Sequence, residues 1–490
     1  MNSDFRRHEP AASYYHLRSE PLQQALCQGL ACFVARQQNM ARWIAAVERE
    51  PRIYCLGKCY CGPSSNDDKA RPHMESRARK TVLLTHALAG GVRELAQYQA
   101  RGGYSGLAAA LAKTPEAVVK NVADSSLRGR GGAGFPTGRK WAAVQAECAA
   151  EKFVVVNADE GDPGAFSDRL LLEDDPFRII EATTIAAYAV GARRGFIYLR
   201  KEYTDALAIL KAALQSARHA NLLGNRILGA NFEFDMEIVL GQGSYVCGEE
   251  TALLNSIEGN RAEVRGRPPW ISSSGLYGKP TLMNNVETLA NVPWLLTHGA
   301  DQYRDLGFSN SRGAKLISLN SLFRRPGLYE VEFGISLREI VEDIGGGLTT
   351  GTLKGLIVGG PLAGVVPPQL LDTRLGFEEM AAIGASVGHG GVIAFNEHTS
   401  IADLIEQVFR FGAYESCGKC TPCHLGSPAI ARMFAARNRG EKGGESDSSY
   451  FHEIVEALKE TSFCGHGRGL GEFSKSVIDY YGEELARCLK

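Results

Sequence analysis

Phe153-Val-Val-Val-Asn157 reads as a short buried strand, and the elements after it decide the fold. An apolar-periodic helix runs from Pro176 to Gly191, a second strand is Gly195-Phe-Ile-Tyr-Leu-Arg200, and a further helical stretch covers Tyr203 to Ala220. This alternation predicts an α/β fold with a mostly parallel sheet and helices on its faces, over residues 86–312. Working outward, residues 1–85 read as a small irregular module, with a helical stretch from Pro21 to Val47 and a polar linker from Ser64 to Lys80. Residues 313–399 carry shorter signals rich in Gly and Pro, as in Arg325-Pro-Gly-Leu-Tyr-Glu-Val331, and predict a small β-rich domain. Helical patterns return over 400–490, at Ile401 to Phe411, Pro428 to Arg439 and Tyr450 to Glu460.

Composition bounds the function. With 54 basic against 55 acidic residues the net charge is −1, which argues against nucleic acid as a partner. No run reaches the roughly eighteen apolar residues of a membrane span, and Met1-Asn-Ser-Asp-Phe-Arg-Arg-His8 lacks a secretory core. A cytoplasmic protein without membrane insertion is expected. The twelve cysteines are bunched rather than spread as a disulfide framework, which fits thiols that serve metals.

The densest bunch is Glu415-Ser-Cys-Gly-Lys-Cys-Thr-Pro-Cys423, with Cys464 about forty residues on. Thiolates at Cys417, Cys420 and Cys423 can reach three corners of one cuboid from a tight turn, and Cys464 closes the fourth, the pattern of a [4Fe-4S] cluster. Structural zinc is the competing reading, although it usually draws ligands from two separated pairs.

Four other segments carry chemistry. The run Arg128-Gly-Arg-Gly-Gly-Ala-Gly-Phe-Pro-Thr-Gly-Arg-Lys-Trp141 precedes a predicted helix; its glycines let backbone N–H groups approach a phosphate, with Arg128, Arg130 and Lys140 as cations. It does not follow a strand in the manner of a dinucleotide fingerprint. At the end of the Phe153 strand, Asp159, Glu160 and Asp162 lie in a turn that either accepts hydrogen bonds from ligand hydroxyls or is a solvated acidic turn. Gly241-Gln-Gly-Ser-Tyr-Val-Cys-Gly-Glu-Glu250 joins a strand at Met236 to Leu240 to a helix starting near Glu249, where Glu249 and Glu250 also suit a simple capping role. Arg265-Gly-Arg-Pro-Pro-Trp270 and Gly278-Lys-Pro-Thr-Leu-Met-Asn-Asn-Val-Glu-Thr288 add cations, a Trp and paired amides.

Taken in order, these segments resemble the NADH-binding flavoprotein subunit of respiratory complex I and the related diaphorase subunits of NAD-reducing hydrogenases and NAD-dependent molybdenum formate dehydrogenases. The resemblance covers about residues 120–470. It implies a Rossmann-like FMN- and NADH-binding domain, a β-grasp (ubiquitin-like) domain and a helical-bundle [4Fe-4S] domain. By position it implies FMN held by Gly129, Gly131, Lys140, Asn157, Asp159, Glu160, Tyr245, Gly248, Glu249, Glu250, Asn284, Asn285 and Thr288. Phe135 and Trp270 would stack on NAD(H), with Arg267 and Asp162 contacting the rest of the dinucleotide, and Cys417, Cys420, Cys423 and Cys464 would hold the cluster. No side chain is assigned as catalytic, since the hydride passes between cofactors, with Glu249 and Glu250 nearby.

Asp162 stands where the family usually has Glu, Trp270 where it has Phe and Arg267 where it has Lys. The Asp162 charge should repel a 2′-phosphate, so NAD is expected over NADP. Cys55-Leu-Gly-Lys-Cys59 looks like half of the [2Fe-2S] motif of the family's thioredoxin-like partner subunit, and Cys27 and Cys32 stand at the spacing of the other half. Only 22 residues separate Cys32 from Cys55, fewer than that motif normally has, so the expectation is a degenerate thioredoxin-like docking module without a [2Fe-2S] cluster. The resemblance further implies a thioredoxin-like [2Fe-2S] subunit and a catalytic molybdenum or hydrogenase subunit as partners, with the β subunit of a soluble formate dehydrogenase as the nearest type. A zinc-stabilised nucleotide-binding scaffold without redox turnover is the reading from another class.

Overall fold

The computed structural model describes residues 26–38 and 53–490. At its centre is a four-stranded, fully parallel sheet in the order Asp235–Leu240, Arg194–Leu199, Phe153–Ala158, Thr281–Asn285. Val154, Val155 and Val156 are completely buried because their strand has a neighbour on each edge and side chains packed on each face. The helix Pro176–Val190, whose side chains are nearly all buried, leads from this strand toward Arg194–Leu199 and stops at Gly191, which takes φ +76°. The chain moves outward through two strands and then returns to the opposite side at Thr281–Asn285. That reversal creates a switch point, and a crevice opens beyond the carboxyl ends of Phe153–Ala158 and Thr281–Asn285.

A second, mixed sheet has six strands in the order His73–Ser76, Gly327–Glu332, Ala314–Leu319, Gly391–Asn396, Leu353–Val358, Val365–Val366. Its first strand lies inside the stretch expected to be a linker, and this corrects the expectation. His73–Ser76 pairs in parallel with Gly327–Glu330 at the sheet edge, where its polar side chains remain at least partly exposed and hide its role. Buried Glu330 secures the next turn of chain, accepting the N–H groups of Val82, Leu83 and Leu84 at 2.6, 3.0 and 2.8 Å.

Of the helical stretch expected over Pro21 to Val47, Leu30–Gln37 is helical; residues 21–25 and 39–47 lie outside the described part. Backbone bonds from Gln28 to Ile53 and from Cys27 to Ser64 join the two described pieces of this module, and Gln37 and Gln38 tie it to Asp403 and Asn396.

The C-terminal region is helical, with Ile401–Tyr414, Ser427–Asn438 and Asp447–Thr461 near their expected positions. A fourth helix, Gly465–Cys488, was not legible because Gly467, Gly469 and Gly471 break its apolar period. Those glycines mark close approach. A Cβ on Gly471 would come within 2.4 Å of Lys459 Cγ and 3.0 Å of the Lys459 backbone nitrogen. Gly471→Val is therefore expected to push this helix off Asp447–Thr461 and cost roughly 1–3 kcal/mol. Thermal unfolding followed by circular dichroism checks it, and an unchanged midpoint would refute the contact.

Candidate active site

The crevice holds a cavity of about 630 Å³ that continues into a lobe of about 410 Å³, sizes suited to a cofactor. The first part gathers Gly129, Gly131, Phe135, Lys140, Asn157, Gly248, Glu249, Glu250, Arg267, Trp270, Asn284, Asn285 and Thr288. The second is lined by Asp159, Glu160, Asp162 and Tyr245, and also by Asp168, His389 and His466. The seventeen cofactor-binding residues expected from the sequence thus face one continuous space.

Local structure explains the placement. The glycine run turns back on itself, with Gly134 at φ +59°, and leads into the helix Thr137–Ala146. Gly131 lies so close to the neighbouring strand end that a Cβ would come within 2.9 Å of Asn285 Cβ. Lys140 Nζ reaches into the cavity, 3.2 Å from Glu250 and 3.2 Å from the Met283 carbonyl. Arg139 also lines the cavity, whereas Arg128 and Arg130 do not join it. Arg130 is completely buried and donates to Tyr303 Oη and the Arg312 carbonyl, while Arg128 lies 4.1 Å above the Phe377 ring and pairs with Glu378. Both serve the loop's own packing.

Glu249 performs the capping role: its carboxylate accepts from Thr251 N and Ala252 N at 2.8 and 3.0 Å. It also pairs with Arg267, which in turn reaches Glu250 at 2.9 Å and lies over Trp270. Trp270 and Phe135 are 58% and 51% exposed, unusual for large aromatic side chains and suited to stacking on a planar ligand. Tyr245 Oη donates to Asp162 at 2.6 Å. Asp159 Oδ2 and Thr137 Oγ1 are buried without a protein partner, as polar atoms are where a ligand completes the hydrogen bonding. Burial raises the Asp159 carboxyl to about 8 despite nearby Arg200.

His389 belongs to no motif that sequence reasoning could find. Its Nε2 lies 2.9 Å from Asp168 Oδ2 and 3.4 Å from Glu160 Oε1, and Asp168 also accepts from Asn285 Nδ2 at 2.7 Å. The histidine lies just before the strand Gly391–Asn396 of the six-stranded sheet, Glu160 on the turn after Phe153–Ala158 and Asp168 in the helix Ser167–Asp174, so only the folded chain joins them.

At the other wall, Cys417, Cys420 and Cys423 are buried, and Cys464 caps the helix whose first residues, Gly465 and His466, line the cavity. The sulfurs receive hydrogen bonds: Phe463 N–H to Cys420 at 3.3 Å, Ser416 Oγ to Cys423 at 3.3 Å, and the His466 and Gly467 N–H groups to Cys464. Tetrahedral zinc at about 2.3 Å would hold its four sulfurs roughly 3.8 Å apart. Among the described residues no three cysteine sulfurs approach within 4.8 Å of one another. Three ligands from one tight loop and a fourth from a distant turn are the pattern of an iron–sulfur cuboid.

A flavin-sized cavity at a switch point, bordered by the Gly465–His466 turn that follows the last of four clustered cysteines, defines a flavin and iron–sulfur electron-transfer protein. Two family models match: the Nuo51 FMN-binding domain over residues 122–294 and the NADH-ubiquinone oxidoreductase-F iron-sulfur binding region over residues 403–488. The chain is 42% identical to NADP-reducing hydrogenase subunit HndC of Solidesulfovibrio fructosivorans, over 79% of each chain. It is 40% identical to the F 2 subunit of the NADH-quinone oxidoreductase of Rhizobium meliloti, over 80% of this chain and 93% of the relative. A chain of the NAD+-reducing [NiFe]-hydrogenase in the H2-reduced state superposes with a TM-score of 0.82 at 29% identity, covering 99% of this chain and 87% of that one. The protein belongs to the Nuo51 family of NADH-quinone oxidoreductase subunits, and is an NADH-binding subunit that carries FMN and a [4Fe-4S] cluster. Among the described residues no helix is long and apolar enough to cross a membrane.

Burial alone would lower the His389 imidazole, but the facing Asp168 and Glu160 carboxylates outweigh burial and the opposing Lys315 charge, and push it up to about 10; Asp162 also faces it. The unfolded chain releases this proton near 6.5. The ion pair therefore stabilises the fold fully below about pH 6.5, and its contribution drains away as pH rises to about 10. His389→Gln should flatten the decline in melting temperature between pH 7 and 10; a parallel decline in both proteins would refute the pairing.

Proposed function

We propose that this chain is the NAD(H)-facing diaphorase subunit of a multisubunit enzyme that couples NAD+ reduction to oxidation of a small reductant held by a partner subunit. The observation that carries this reading is the continuity of one cavity from the stacking aromatics Phe135 and Trp270 to the Gly465–His466 turn beside Cys464. Bound FMN would supply hydride exchange with NAD(H) and a bound cluster single-electron exchange, so the subunit would convert two-electron to one-electron chemistry.

The chain's own residues position these groups. Lys140, the glycine loop and the backbone around Gly131 supply charge and N–H groups for the flavin phosphate. Asn157, Asn284, Asn285 and Thr288 offer hydrogen bonds at the strand ends, and Asp159 offers its unpartnered oxygen. Phe135 and Trp270 take the dinucleotide's rings, with Arg267 held in place by Glu249 and Glu250. Asp162, fixed by Tyr245, sets a carboxylate on the cavity wall, which disfavours a cofactor bearing a 2′-phosphate.

For the terminal substrate, the sequence around Ala394 to Ser400 and the cysteine run favour a formate dehydrogenase of the molybdenum type, with a thioredoxin-like [2Fe-2S] subunit alongside. A hydrogenase assembly is the second reading. It is favoured by the match of 99% of the chain to the NAD+-reducing hydrogenase chain, which takes in residues before those of the family models. Co-purification from the native host followed by formate- and hydrogen-dependent NAD+ reduction separates the two; activity with neither would refute both.

Two outcomes are expected of the isolated chain. NADH should reduce ferricyanide, and NADPH should turn over at least about tenfold more slowly, a difference of roughly 1.4 kcal/mol; equal rates would overturn the role of Asp162. Lys140→Ala should lower flavin retained through gel filtration at least severalfold, read from absorbance against protein, and full retention would remove Lys140 from the phosphate site.

A further inference from the structure

His389 lines the lobe of the cavity, yet the function proposed above gives it no part. It is buried, on a turn closed by the Gly390 N–H on the Val387 carbonyl at 3.1 Å, just before the strand Gly391–Asn396. That turn crosses from the second sheet to the glycine run. Gly388, at φ +51°, forms an antiparallel bridge with Gly132, and a Cβ on Gly388 would come within 2.0 Å of the Gly359 carbonyl oxygen. A side chain there would push the turn away, so the glycine keeps His389 at the cavity wall.

His389 heads a hydrogen-bonded chain along that wall. Its Nε2 donates to Asp168 Oδ2 at 2.9 Å and stands 3.4 Å from Glu160 Oε1. The same Asp168 oxygen accepts from Asn285 Nδ2 at 2.7 Å, Asn285 Oδ1 accepts from Thr288 N–H at 3.0 Å, and Thr288 Oγ1 accepts from the Arg130 N–H at 2.8 Å. The chain thus ends in the glycine run, and Asn285 and Thr288 face the flavin-sized cavity on the way.

Charge gives the histidine its meaning. Among the described residues the lobe is lined by Asp159, Glu160, Asp162, Asp168 and Glu249 and by no Lys or Arg. The lobe's other histidine, His466, is committed to the Gly412 carbonyl at 2.9 Å. The groups facing His389 are Asp168 from the helix Ser167–Asp174, Glu160 and Asp162 from the acidic turn, and Lys315 from the strand Ala314–Leu319, whose ammonium pairs with Glu287. The acids outweigh the lysine, so the imidazole keeps its proton at neutral pH.

A hydride, two electrons with one proton, leaves NADH as NAD+ and joins the flavin, which then carries one more negative charge. In a lobe lined by acids that charge meets Coulomb repulsion. We propose that the His389 imidazolium offsets Asp168 and so favours the reduced flavin over the oxidised one. His389 acts from the wall, as a positioning residue for Asp168 and Asn285 and as a fixed charge. The inference rests on the flavin reading of the cavity.

Redox titration of the flavin in full-length protein purified without oxygen tests it. His389→Gln should weaken binding of reduced flavin relative to oxidised flavin about tenfold, which lowers the two-electron midpoint by about 30 mV. His389→Lys, which restores a cation, should recover part of that shift. Asp168→Asn removes the facing carboxylate and should move the midpoint the opposite way, and it carries the test if His389→Gln does not fold. A packing role alone would change the melting temperature or the flavin content and leave the midpoint in place. Unchanged midpoints, or shifts of the same sign in His389→Gln and Asp168→Asn, would overturn the proposal and leave the flavin reading standing. Wild-type protein that binds no flavin would overturn the flavin reading, and the proposal with it.

Discussion

Glu160 holds the molecule together at the point where its parts meet. It is 1% exposed, and its carboxylate takes Asp168 N and Arg169 N at 2.9 and 3.0 Å, Ser167 Oγ at 3.2 Å and Tyr203 Oη at 2.8 Å. A carboxyl group this deep is satisfied because the first turn of the helix Ser167–Asp174 supplies both N–H groups. The Glu160 carbonyl accepts from Arg200, which also donates to the Cys55 carbonyl at 2.6 Å. One residue thus pins the acidic turn over the strand ends, orients Asp168 toward Asn285 and His389, and anchors the N-terminal cysteines. Its carboxylate is spent on architecture, so its part in the cavity is to fix the turn that presents Asp159 and Asp162.

The two cysteine groups show how spacing in space differs from spacing in sequence. Cys417, Cys420 and Cys423 are close in sequence, yet among the described residues their sulfurs bond to Ser416 Oγ and the Phe463 N–H rather than to each other. Cys27 and Cys55 are far apart in sequence, yet each shares a hydrogen bond with its own neighbour inside one shared core. The thiols of the first group are thus bonded by the surrounding chain, and those of the second by each other.

Much of this was legible. The Phe153 to Asn157 and Gly195 to Arg200 strands declared themselves through unbroken β-branched and aromatic runs, and those runs also locate the switch point that positions the cavity. What stayed hidden depended on partners distant in sequence. His73–Ser76 is polar because it lies at a sheet edge, and Gly465–Cys488 is glycine-rich because it packs tightly on its neighbours. Arg128 and Arg130 looked like phosphate ligands until Phe377 and Tyr303 came into view. His389 had no motif, since its meaning lies in two carboxylates from a turn and a helix far from it in sequence.

Tyr245 shows how these parts act as one wall. Its ring meets Phe411 at 4.9 Å and His466 at 5.6 Å, its N–H donates to Glu415 at 2.9 Å and its hydroxyl to Asp162 at 2.6 Å. Gly161 must lack a side chain here, since a Cβ would stand 2.8 Å from the ring. The tyrosine therefore joins the acidic turn, the Ile401–Tyr414 helix and the turn after Cys464 in a single packed contact. Moving any one of them requires breaking a buried hydrogen bond or opening a void, each costing on the order of 1–3 kcal/mol. That stiffness fixes the cavity relative to the cysteine loop, and electron transfer between cofactors depends on such fixed separation.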